Sequence, residues 1–227
     1  MSRPPDNEEL ERRPLTTREL RISQVLAGRI AATGISPNAI SSAGMLAGIG
    51  AGVALAMTAR IPGHERVFWI AGAVLVQTRL LANMFDGMVA LETDRTSPLG
   101  ELFNEVPDRV SDVAILAGLG FAAGSDPVTG LLAACVAVFV AYVRAMGKAA
   151  GHAQDFCGPM AKPQRMFLVT VCSLWCGLTP AAWHAISGTS LPVWVLGLVI
   201  AGGIATAIRR LWRIARALRT GGTGGTP

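Results

Sequence analysis

The sequence predicts an all-α integral membrane protein, with six transmembrane helices and an N-terminal interfacial amphipathic helix. Three observations predict it. Hydrophobic residues make up 51% of 227 and charged residues only 15%, with a mean hydropathy of +0.45, too apolar for a typical soluble domain. Six apolar runs, each long enough for about 30 Å of hydrocarbon, are separated by proline-marked or polar breaks. Basic residues then alternate by side: sixteen lie before the first run, near Arg95, between runs four and five and after run six, against Arg60 and Arg66 on the other side. That asymmetry places both termini in the cytoplasm.

Taken in order, residues 1–14 are charged and proline-rich with nothing to bury, and read as a flexible cytoplasmic tail. Thr16 and Glu19 form a capping-box pattern. From there the stretch over 15–33 interleaves Leu20, Ile22, Val25, Leu26 and Ile30 with Arg18, Arg21 and Arg29, too charged to span but suited to the interface. Ser36-Pro37 starts the first span, about 38–59, whose Gly44, Gly48 and Gly52 leave one bare face for close packing. The second span covers about 67–91 and the third about 98–123. Asp126-Pro127 opens the fourth, to about 147, and the fifth covers about 164–184. The sixth runs from near Pro192 to Ile208, closing a transmembrane domain over 34–208. It continues as a basic helix over 209–220 carrying Arg209, Arg210, Arg213, Arg216 and Arg219, before a glycine-rich tail over 221–227.

The net charge of +5 is almost all arginine, since Lys148 and Lys162 are the only lysines. The C-terminal arginines directly continue a span, which suits lipid headgroups and excludes nucleic acid as the partner. Cys135, Cys157, Cys172 and Cys176 fit neither a disulfide framework nor zinc spacing, and Cys172 and Cys176 read as small core residues. His152 and His184 fall on opposite sides and cannot share a metal. Trp183 and Trp194 suit an outer interfacial belt.

The candidate site lies where spans two and three meet the cytoplasmic headgroup zone. Asn83 and Asp86 are one turn apart on the second span. On the third, Glu101, Asn104, Glu105, Asp108 and Asp112 fall within roughly 100° of arc. Ser97-Pro98 supplies the turn between them as N-cap and first helical residue. Charge at the end of a span is costly and marks function. Carboxylates and carboxamides are hard oxygen ligands suited to Mg²⁺ or Mn²⁺ rather than zinc, one or two ions. Gly87, Ala90 and Gly100 remove side-chain bulk beside them. A hard cation with nearby basic residues points to a phosphate-bearing substrate.

Written as a pattern, the stretch is Asn83-x2-Asp86-Gly87-x2-Ala90-Leu91-x8-Gly100-x3-Asn104-x3-Asp108. It resembles the signature of the CDP-alcohol phosphotransferase (CDP-alcohol phosphatidyltransferase) family, D-x2-D-G-x2-A-R-x8-G-x3-D-x3-D, with all spacings kept. The six spans, the interfacial helix and Pro37-Asn38 at the start of span one are similar to the family as well. The resemblance implies a membrane enzyme of phospholipid synthesis that transfers a phosphatidyl or substituted phosphoryl group from a CDP-linked donor, with CDP-diacylglycerol expected, to an alcohol acceptor, releasing CMP. It implies metal ligation by Asp86 and Asp108, general-base work by Asp108, and a CDP moiety bordered by Gly87, Ala90 and Gly100. A homodimer in a bacterial-type inner membrane, with the active site facing the cytoplasm, is also implied.

The chain departs from that signature at three positions. Asn83 and Asn104 replace two acids, leaving a charge of −2 where four acids would carry −4 and balance two divalent cations. Glu101 and Glu105 lie on the same stripe as candidate replacements. Leu91 replaces the arginine, whose role is either missing or taken by Arg95. A second basic group, Arg144 and Lys148 at the end of span four with Lys162 and Arg165 before span five, suits substrate phosphates or lipid phosphates. The asparagines keep open an alternative: a degenerate member that binds nucleotide-lipid or acts as a membrane scaffold without turnover.

Overall fold

The structure, a computed structural model, describes residues 21–92, 100–151 and 157–221. Outside these residues lie the N-terminal tail, the Thr16–Glu19 box, Arg95, Ser97-Pro98, His152 and the tail from 222. Seven α-helices occur among the described residues: α1 (Arg21–Ala32), α2 (Pro37–Met57), α3 (Glu65–Glu92), α4 (Gly100–Gly120), α5 (Pro127–Ala149), α6 (Lys162–Leu178) and α7 (Leu191–Gly221). Between α6 and α7 come a 3₁₀ turn (Ala181–Trp183) and a two-stranded antiparallel pair, β1 (Ala185–Ile186) with β2 (Thr189–Ser190), in the register Ala185↔Ser190 and Ile186↔Thr189.

The glycine face of α2 decides where the helices meet. An added Cβ at Gly44 would lie 2.7 Å from the Ala82 Cβ and 2.8 Å from Arg79 Nη1, and at Gly48 it would lie 2.6 Å from Ser111 Oγ. At Gly52 it would strike the Ala114 carbonyl oxygen. So α2 lies almost backbone-to-backbone on α4 and tight against α3, and only residues without a side chain permit that approach. α4 also packs on α5, α6 on α3, and α7 on α5. The core formed this way includes Leu55, Trp69, Val76, Leu116, Val169 and Leu196.

Local chemistry accounts for the helix ends. Ser36 caps α2 in extended conformation (φ −74°, ψ 146°), its hydroxyl accepting from the Ala39 N–H at 3.2 Å, with Pro37 at the first helical position. Asp126 caps α5, accepting from the Thr129 N–H at 2.7 Å. The Thr129 hydroxyl and N–H together hold the Asp126 carboxyl below the usual carboxylate range. α6 ends at Leu178, short of the expected 184, because Thr179 precedes Pro180 and is pushed to φ −108°, ψ 162°.

Among the described residues, four helices are long and apolar enough to cross a membrane: α2, α3, α5 and α7 over Leu191–Arg219. α4 matches them in length but carries Glu101, Glu105, Asp108, Arg109 and Asp112, and α6 has 17 residues. Large apolar side chains such as Leu46, Val53, Val74, Leu81, Phe139 and Leu198 are exposed on the outer faces of the spanning helices. Lipid covers such faces at no cost, whereas water does not. At 31 residues α7 is about 46 Å long and outruns the hydrocarbon core, so its arginine-rich end emerges from it. Cys172 and Cys176 are buried free thiols in the core, as their spacing predicts.

Candidate active site at the polar end of α3 and α4

Four helices bring polar side chains to one end of the bundle: the start of α2, the second half of α3, the first half of α4 and the start of α6. Asp86, buried on α3, accepts a hydrogen bond from the Ser41 hydroxyl of α2 at 2.6 Å on Oδ2. One turn earlier, Asn83 Oδ1 is buried with no hydrogen-bond partner among the described residues. A buried amide oxygen left without a donor costs about 1–3 kcal/mol, so this atom is an open ligand position.

Asp108 on α4 is the most heavily engaged acid. Its Oδ1 accepts from both Arg79 Nη2 and Lys162 Nζ, and Arg109 Nη2 lies 3.5 Å from its Oδ2. Arg79 is only 1% exposed. Its Nε donates to Ser111 Oγ at 3.0 Å, Ser111 in turn donates to the Pro107 carbonyl at 2.6 Å, and Nη1 is buried without a partner. This arginine escaped the sequence analysis because it lies inside an apolar run. The signal was there, since an arginine within a span is costly and Arg79 is four residues before Asn83 and seven before Asp86, on their face. The α2 glycines make the arrangement: Gly44 leaves space for Arg79 and Gly48 for Ser111.

The remaining basic residues are drawn inward as well. Arg165 is 2% exposed and pairs with Asp112 at 2.7 Å, while its Nη1 donates to the Met160 carbonyl at 3.1 Å. Arg144 pairs with Glu105, which also faces Arg109 Nη2 at 3.4 Å. Lys148 lies in the last turn of α5. Gly87 and Ala90 are partly buried on α3. Gly100, Glu101 and Asn104 lie on α4, with side chains outside the description. α1 packs on the polar end of α3, where a Cβ on Gly28 would lie 3.5 Å from Glu92 Oε2.

Asp86 and Asn83 fit a divalent cation: a carboxylate and an orphaned buried carboxamide oxygen, both hard, stand one turn apart. Asp108 does not fit a second in the same way, because protein cations already hold it. Among the described residues, no group of three or more acids, histidines or cysteines is assembled for a metal.

Comparison with known proteins bears on the family and the fold. The phosphatidylinositol phosphate synthase of Mycolicibacterium smegmatis is 27% identical over 199 residues, covering 85% of this chain and 83% of that protein. The Streptomyces avermitilis protein of the same name is 28% identical over 205 residues, 86% and 79% of the two chains. The archaetidylinositol phosphate synthase of Aeropyrum pernix is 28% identical over 166 residues, 73% and 80%. Two crystal structures of Mycobacterium tuberculosis phosphatidylinositol phosphate synthase share the fold at 21% identity. The complex with manganese and citrate has a TM-score of 0.69, covering 84% of this chain and 88% of that one. The complex with CDP-DAG has a TM-score of 0.67, covering 86% and 94%. The family model described as CDP-alcohol phosphatidyltransferase matches residues 34–200, from the turn before α2 into α7, and so takes in both halves of the polar site. With that match spanning most of its length, the chain belongs to the CDP-alcohol phosphatidyltransferase family.

Proposed function

We propose that this protein transfers a phosphatidyl group from CDP-diacylglycerol to an alcohol acceptor and releases CMP. The observation that carries the proposal is the pairing of Asp86 and Asn83 on α3 with Asp108 on α4, at the family's spacing and at one end of the helices. The acceptor oxygen attacks the phosphorus that bears the diacylglycerol, the bond from that phosphorus to CMP breaks, and CMP leaves with the electron pair. Asp86 and Asn83 would hold Mg²⁺ or Mn²⁺, which when bound supplies charge neutralisation at the donor's diphosphate. Asp108 takes the acceptor's proton. Gly87, Ala90 and Gly100 leave room for the CDP moiety, and Arg144 and Lys148 add positive charge beside it. Glu101 and Glu105, on one stripe of the sequence, are the candidates for restoring the missing negative charge.

The same reading makes α4 and α6 the third and fifth of six spans, their charges neutralised by internal pairs. Both termini and the active site then face the cytoplasm of a bacterial-type inner membrane, and a homodimer is the working assembly. The test is reconstitution in vesicles with CDP-diacylglycerol, Mg²⁺ or Mn²⁺, and a panel of acceptors: glycerol 3-phosphate, inositol, inositol phosphate and serine. CMP release dependent on one acceptor, and abolished by Asp108→Asn, supports the proposal. A second reading, a family member that binds CDP-lipid without turnover, is favoured by the engagement of Asp108 by Arg79 and Lys162. Retained CDP-lipid binding with no CMP from any acceptor would select it.

A further inference from the structure

The polar site balances its charges in an unusual way. In the signature this chain resembles, four acids carry −4 and two divalent cations offset them. Here Asn83 and Asn104 remove two negative charges. Two positive charges, the Arg79 guanidinium and the Lys162 ammonium, both bear on Asp108 Oδ1. Asp86 and Asp108 with Arg79 and Lys162 therefore sum to zero before any ion binds.

We propose that Arg79 and Lys162 are resident cations of the reaction centre: they hold Asp108 in place of a divalent cation, so the chain takes a single divalent ion, at Asp86 and Asn83. This deepens the transferase reading above and rests on it for the location of the site. Arg79 is built into its position. It is buried against the bare face of Gly44, anchored through Nε to Ser111 and directed by Nη2 at Asp108. Its fixed charge cannot be lost, since a guanidinium stays protonated in a protein. A divalent cation moving onto Asp108 would have to displace that charge or sit beside it, and like charges at such range repel strongly in a low-dielectric site. Lys162 closes the same carboxylate from α6, with its side chain 15% exposed. By contrast, among the described residues no donor reaches Asn83 Oδ1, which leaves the α3 half open to an ion.

The test counts ions rather than turnover. Full-length protein in lipid nanodiscs is titrated with Mn²⁺, free ion being followed by electron paramagnetic resonance and binding by calorimetry. One Mn²⁺ per chain is expected for the wild type. Arg79→Gln should tighten that site by about tenfold or more, because a neighbouring positive charge is gone. Arg79→Lys keeps the charge and should stay within about threefold of wild type. Arg79→Gln combined with Lys162→Gln and Asn104→Asp should take up a second Mn²⁺. If Arg79→Gln does not fold, Lys162→Gln alone, at the partly exposed start of α6, should show the same tightening. Two Mn²⁺ per wild-type chain, or unchanged affinity in folded Arg79→Gln or Lys162→Gln protein, would overturn the proposal. One Mn²⁺ per chain with no CMP released from any acceptor would leave the resident-cation assignment standing and remove only the transferase reading.

Discussion

Removing Arg165 while leaving Asp112 in place strands a buried carboxylate between α4 and α6. The two side chains are 2% and 1% exposed and 2.7 Å apart. At that distance and an effective dielectric constant of 20, their attraction is about 6 kcal/mol, an upper bound because both were desolvated to form it. The loss on deleting one partner is about 3–5 kcal/mol, most of it the uncompensated charge left behind. For a chain of this size that is a fall of about 6–20 °C in melting temperature. Dye-reported unfolding of detergent-purified Arg165→Met measures it, with Asp112→Leu as the reciprocal single variant. The double variant, with no charge to strand, should recover most of the loss and should recover CMP release with it. The reasoning is refuted if Arg165→Met melts within 2 °C of wild type. It is equally refuted if the double variant regains stability but stays inactive, since Arg165 would then serve substrate rather than Asp112.

Three further outcomes are expected. Ser41→Ala removes the hydroxyl held 2.6 Å from Asp86 Oδ2 and should weaken Mn²⁺ binding by about 10–100-fold with the fold intact, as read by calorimetry. Gly52→Ala should lower thermal stability sharply because its new methyl would meet the Ala114 carbonyl, whereas Gly50→Ala, whose methyl would lie 3.5 Å from Leu75 Cδ1, should be tolerated in the same melting assay. On a cysteine-free background, an impermeant thiol reagent applied from outside should label His64→Cys, Ser125→Cys and Ser187→Cys but not Gly151→Cys. Loss of labelling at Ser125→Cys together with new labelling of Gly151→Cys, which α5 carries to the opposite side, would mean that α4 does not span.

The candidate site was legible where function imposes fixed spacing and illegible where only packing decides. Asp86 and Asp108 stand out because a charged residue at the end of an apolar run has few structural excuses, and Asn83 stands out because its interval to them survives in the sequence. Arg79 has the same cost but sits among apolar neighbours, so a count of charges in loops passes over it. Gly44, Gly48 and Gly52 announce a close contact, yet nothing in their repeat says that a guanidinium lies beside the first and a hydroxyl beside the second. Arg165 reads as a phosphate ligand when it is grouped with nearby Lys162 and with Arg144 and Lys148 at the end of the preceding span. It becomes a strut only once α6 is laid against Asp112, a relation of tertiary packing with no local signature. The end of α6 was different in kind: Thr179-Pro180 states the break locally, and apolar content beyond it hides the statement.

The last helix reaches further into the site than its distance along the chain suggests. Arg210 on α7 donates to the carbonyls of Cys157 at 3.0 Å and Val140 at 3.2 Å, and Thr206 accepts from the Met160 N–H at 3.0 Å. Gly158, at φ 129°, lies against Thr206, where any side chain would collide. The segment that delivers Lys162 to Asp108 is therefore moored to the final helix as well as to Arg165. For anyone handling the protein this sets a cutting line. Fusions and purification tags belong beyond Arg219, and a truncation that removes Thr206 and Arg210 would release the lysine while leaving every residue of the signature in place.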